Sequence, residues 1–207
     1  MSTNSSSGEV RQSKIRTRAI AITDIAVQKV SRVKFDGFSE NENYLIWRFH
    51  RLLLSLAREL CDKRENNGYE YGIVVNINTW EHVEIPGVLG GVHIDSNRDA
   101  KYILENGNKN SILYMHNHPS TGSFSATDIK TFLLNDAIFI MTAVGNNGFV
   151  YSIQKTDKID VYRFLSDYFK AVENYKKLGF HNDATLAIQE MLKKASKYGL
   201  IYKKGGR

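Results

Sequence analysis

Residues 116 to 128 read His-Asn-His-Pro-Ser-Thr-Gly-Ser-Phe-Ser-Ala-Thr-Asp, and their types and spacing suit a metal that activates water. The run before them, Ser111-Ile112-Leu113-Tyr114-Met115, is a short β-favouring apolar strand, which sets the histidines at its end. Strand side chains alternate faces, so His116 and His118 point one way and Asn117 the other. Pro119, one of 2 prolines in the chain, ends the strand, and Ser120-Thr121-Gly122-Ser123 supplies a turn. Ser125-Ala126-Thr127-Asp128, followed by Ile129, Phe132 and Leu133, reads as the first turn of an amphipathic helix that returns the Asp128 carboxylate towards the imidazoles. Two nitrogens and one oxygen are the protein ligands of an open hydrolytic zinc site, whose fourth position is left to water. Closed structural sites are usually richer in cysteine, and this chain has 1. The expectation is one Zn2+ per chain on His116, His118 and Asp128. Singly, each residue has a plainer reading: Ser125 and Asp128 as a helix cap, the histidines as surface residues at a strand end. The joint pattern favours the metal.

On those residues the chain resembles the JAB/MPN (JAMM) zinc metalloprotease family, whose pattern is a glutamate, then His-x-His-Pro, then Ser-x-x-Asp. Its compactness is similar to bacterial and phage-associated members. Here 5 residues, Ser120 to Phe124, separate Pro119 from Ser125, where the best-known eukaryotic members have six, a difference confined to the turn. The family places its glutamate on an earlier strand, before a glycine and a buried aliphatic run, and Glu70-Tyr71-Gly72-Ile73-Val74-Val75 fits that description. Glu65, Glu81 and Glu84 are the competitors. The resemblance implies that Glu70 is general base and then general acid, that Ser125 donates to the oxyanion, and that His116, His118 and Asp128 are the ligands. It implies hydrolysis of peptide or isopeptide bonds, with a protein or peptide substrate, ubiquitin-like proteins included. Two alternatives stand beside it: a metal-binding scaffold without proteolysis in a phage or toxin assembly, and a DNA-associated protein resembling the RadC branch of the superfamily.

These residues need a scaffold. Residues 1–14 are Ser- and Asn-rich and read as a disordered tail, and 15–42 as a short extended or helical arm packed on the core. Ile46, Phe49, Leu52, Leu53, Leu56 and Leu60 recur at helical spacing, predicting one long amphipathic helix over 42–65 that covers a sheet face. Strands are expected at 70–78 and 81–88, a short third near 91–94, and a helix at 97–105. Strands at 137–144 and 149–154 flank a hairpin turn at Gly145-Asn146-Asn147-Gly148. Beyond residue 157 the pattern is helical. Val161, Phe164, Leu165, Tyr168, Phe169 and Val172 mark one face, and Leu186, Ile188, Met191 and Leu192 a last helix. Tyr162, Tyr168, Phe169 and Tyr175 are read as the buried face of a helical cap, with an oligomer or partner interface as the alternative. Gly205-Gly206-Arg207 is read as a flexible end. The order of elements resembles the JAB/MPN fold: an α/β (α+β), cytidine-deaminase-like mixed sheet flanked by helices over 43–155, with a C-terminal helical extension over 156–207.

The chain has 207 residues and 42% hydrophobic content, enough for one core. No run approaches the roughly 20 apolar residues of a membrane helix, and the first residues lack a signal-peptide pattern, so a cytoplasmic protein without membrane contact is expected. The net charge is +6, with lysines concentrated near the C-terminus. No aromatic-interleaved motif specifies bases, which argues against nucleic acid as the main partner.

Overall fold

A computed structural model describes residues 19–206. The expected tail over 1–14 and the first residues of the expected arm lie outside them. Six strands form one mixed sheet in the order β2-β1-β3-β4-β5-β6, built from β1 (Tyr69–Asn76), β2 (His82–Leu89), β3 (Ile112–His118), β4 (Ile138–Gly145), β5 (Val150–Lys155) and β6 (Leu200–Lys204). Among the described strands only β3 and β4 run parallel. A parallel pair needs a crossover, and helix α4 (Ala126–Leu134) supplies it.

Helices cover both faces. On one lies α2 (Glu40–Lys63), opened by a capping box in which Ser39 and Glu42 bond each other's backbone. Its buried stripe includes Ile46, Phe49, Leu53, Leu54 and Ala57, against Ile73, Val75, Leu113 and Met115 of the sheet. Ile46, Leu53 and Leu54 are each fully buried, worth about 1.5–3 kcal/mol apiece. The arm joins this layer through α1 (Asp24–Gln28), with Ile22, Ala26, Val30, Val33 and Phe35 buried in the same cluster. The opposite face carries α3 (Arg98–Asn106), α4, α5 (Val161–Lys177) and α6 (Asp183–Lys193), packed over Val74, Ile112, Tyr114, Met141 and Ile153.

Several expectations are corrected. The third strand near 91–94 does not form. Gly91 makes only an isolated bridge to Val88, and Ile94–Ser96 is a 3-10 turn whose buried Ile94 anchors the connection. Gly90 turns the chain at φ +73°, so too little chain is left for a strand. Residues 156–207 are not helical throughout, because β6 returns to pair antiparallel with β5. The C-terminal glycines are not free. Gly205 N donates to Val150 O at 2.8 Å and Gly206 bridges Arg32; a Cβ on Gly205 would sit 2.3 Å from Ser31 Oγ. Nor are all four C-terminal aromatics buried. Tyr162 is 90% and Phe169 63% exposed, while Tyr168 and Tyr175 pack against the core beside buried Phe164 and Ala171. The inner stripe follows 164, 168, 171 and 175, and the seven-residue repeat from 162 to 169 falls outside it. Among the described residues no helix is long and apolar enough to cross a membrane.

Candidate metal centre

Strand β3 is buried along its length, between β1 and β4, and this rigid position holds the two histidines. Its alternation puts Ile112, Tyr114, His116 and His118 on the α4 side and Leu113, Met115 and Asn117 on the α2 side. Small residues flank the imidazoles: His116 pairs with Gly72 on β1 and Ala143 on β4, and His118 with Gly145. The Tyr114 ring stacks on His116, with centroids 5.3 Å apart and planes 21° apart. His116 Nδ1 is buried without a described hydrogen-bond partner, so packing orients this ring.

The turn after Pro119 is pinned at several points. Gly122 N donates to Ser120 Oγ at 3.1 Å, Tyr151 Oη donates to Thr121 O at 3.0 Å, and Phe124 is buried in the core. Ser125 then caps α4. Its Oγ accepts from Asp128 N at 3.2 Å and donates to Asp128 Oδ2 at 2.7 Å, while Ser125 N donates to the same oxygen at 2.6 Å. The plain capping reading and the ligand reading are therefore one arrangement, since the cap aims the carboxylate at the histidines.

The three ligand groups converge. His116 Nε2 and His118 Nε2 are 2.9 Å apart; Asp128 Oδ1 is 3.4 Å from the first and Oδ2 3.3 Å from the second. These atoms lie within 4.8 Å of one another, so the cluster could hold a metal ion. Two nitrogens at contact distance can share only one proton between them, whereas a cation satisfies both lone pairs and the carboxylate together. Burial opposes charge on Asp128, but the two imidazoles outweigh it and hold the carboxyl well below the usual range. Burial also opposes charge on His118, and Asp128 beside it raises that imidazole overall. The site is thus built for a charged carboxylate.

Glu70 reaches the same face from β1. Gly72 pairs antiparallel with His116, and carrying that register two residues further sets Glu70 opposite His118. Glu70 is 8% exposed, and its carboxylate takes no hydrogen bond from another described residue. It stands outside the group of three converging ligands. Burial raises its pKa, partly offset by His116 and His118. The competitors lie elsewhere. Glu81 is exposed and bonded to Thr79, Glu84 is exposed near the Tyr71 hydroxyl, and Glu65 sits in the connection after α2 at φ +51°.

One feature of the site escaped the sequence reading. Asn117, between the two histidines and fully buried, accepts from Tyr71 N at 2.6 Å and donates to Asn146 Oδ1 at 2.9 Å. Asn146 Nδ2 in turn donates to Ile20 O at 2.8 Å, and Ile20 N donates to Pro119 O at 2.9 Å. The ligand strand, the strand carrying Glu70, the β4–β5 turn and the arm are tied together by this chain of amides. An Asn in an otherwise apolar strand was the available signal, since strands disfavour it.

Comparisons with protein-family profiles, with curated proteins and with solved structures find no significant match. Fold and site together define a mixed α/β protein whose sheet presents a His116–His118–Asp128 cluster able to hold a metal ion.

Proposed function

We propose that the protein is a zinc-dependent hydrolase of peptide or isopeptide bonds, of the kind the JAMM resemblance implies. The observation that carries the reading is the convergence of three ligand groups beside a separate, unbonded carboxylate, Glu70, on one sheet face. The two imidazole nitrogens, 2.9 Å apart, each have an oxygen of the Asp128 carboxylate within 3.4 Å, a spacing compatible with a zinc ion whose bonds are about 2.0–2.1 Å. When bound, zinc would supply a water with pKa near 7 and a Lewis acid for the scissile carbonyl.

The chain's own groups do the rest. His116, His118 and Asp128 hold the ion. Glu70, whose carboxyl is raised by burial, takes the water's proton and hands it to the leaving amine, a lysine side chain where the bond is an isopeptide. Ser125 holds Asp128 in place, and serves as oxyanion donor once its one hydroxyl proton turns from Asp128 Oδ2 to the substrate. Its Oγ has no imidazole partner, so a covalent serine route is not part of this reading.

The test pairs elemental analysis with cleavage. Wild type should carry about one zinc per chain and cut members of a panel of linear and isopeptide-linked substrates. His116→Ala/His118→Ala should lose both, and Glu70→Gln should keep the metal and lose cleavage by a factor of roughly 10² or more. Full zinc with no cleavage across the panel would favour a scaffold, and a folded protein without metal would refute the site.

A further inference from the structure

The opposite end of the sheet, where β3 and β4 begin and β5 ends, holds a cavity of about 300 Å3. Lys155, the last residue of β5 and only 4% exposed, lines it with Lys109, Asn110, Asp136, Asp157 and Val161. Four of those side chains are charged, two of each sign. Among the described residues none of the four has an opposite charge within 4.0 Å.

Lys155 has one structural task already. Its Nζ donates to Asn135 O at 2.6 Å, at the end of α4, and lies 5.0 Å from the Phe132 ring centroid. A cation at a helix C-terminus is a common stabilising device. That bond uses one of three N–H donors and offers no counter-charge. Burial pushes the amine down to about 8, with nearby Asp136 working in the other direction. Asn110, which also lines the cavity, holds an acceptor without a partner. Asn110 is held at φ +58°, a left-handed conformation, and its Oδ1 is buried with no donor among the described residues.

The cavity therefore offers a buried donor with no anion and rim charges of both signs. A bare phosphate would meet two aspartates. We propose that this cavity binds a free amino acid or a similarly small zwitterion, its carboxylate on Lys155 Nζ and its ammonium towards the carboxylates of Asp136 and Asp157. The volume lies at the small end of ligand pockets and suits that class.

Isothermal titration of the full chain with each of the common L-amino acids tests this, with acetate, ethylammonium and inorganic phosphate as single-charge controls. At least one amino acid should bind saturably with Kd of about 1 mM or below, and the controls about tenfold or more weakly. Lys155→Met, which keeps the stem and removes the ammonium, should lose the same factor. Because that variant also uncaps α4, reductive methylation of wild type mapped by mass spectrometry is the second arm. Saturating amino acid should slow methylation of Lys155 and leave exposed Lys170 unchanged. No saturable binding by any amino acid, equal binding by acetate or phosphate, undiminished binding by folded Lys155→Met, or unprotected Lys155 would each overturn the proposal.

Discussion

Replacing Asn117 by alanine should destabilise the protein and loosen the metal centre, although the side chain points away from the ligands. The substitution orphans two buried groups: Tyr71 N–H, now bonded at 2.6 Å, and Asn146 Oδ1, now bonded at 2.9 Å. Each orphan costs about 1–3 kcal/mol, so the expected loss is about 2–6 kcal/mol, a large share of a domain's usual 5–15. Asn146→Ala should cost less. It orphans Asn117 Nδ2 in the interior, whereas its other partners, Ile20 O and Asn67 O, are only partly buried and water can reach them. Both single variants break the same bond, so the double variant should be less destabilised than their sum by about 1–2 kcal/mol. Urea unfolding of the four proteins measures these terms. Chelator competition then measures metal affinity, with Leu104→Ala on α3 as a comparably destabilised control outside the His116–His118–Asp128 cluster and the amide chain. An Asn117→Ala loss under about 1 kcal/mol would refute the reasoning, as would a fall in metal affinity no greater than the control's.

Two further outcomes follow from the same structure. Ser125→Ala should cost about 1 kcal/mol as a lost helix cap and weaken metal binding about 10–100-fold, because Asp128 Oδ2 loses its hydroxyl donor. Ser125→Thr should restore most of both in urea unfolding and chelator titration. Burial holds the His50 imidazole down to about 3, against 6.5 when unperturbed, so between those pH values the unfolded chain binds the extra proton and stability falls with acid. Going from about pH 7.5 to 5 should remove about 2 kcal/mol through this residue. His50→Leu should flatten that dependence by the same amount in urea unfolding at the two pH values, and a flattening below about 0.5 kcal/mol would refute the assignment.

What the sequence determined by itself was local. Period two put His116 and His118 on one side of β3, Pro119 and the glycine turn ended that strand, and Ser-x-x-Asp opened α4. The 3.6-residue repeat likewise marked α2, because such signals need only residues a few positions apart. Only the tertiary structure decided what depends on distant segments meeting. The antiparallel register of β1 on β3 sets Glu70, rather than Glu65, Glu81 or Glu84, on the face of the ligands. The amide chain from Tyr71 through Asn117 and Asn146 to Ile20 joins four parts of the chain. The return of β6 to the sheet edge and the outward turn of Tyr162 and Phe169 have the same origin. Register and the choice of which apolar side chains are covered are fixed by packing the whole core at once, and no window of neighbouring residues carries that information.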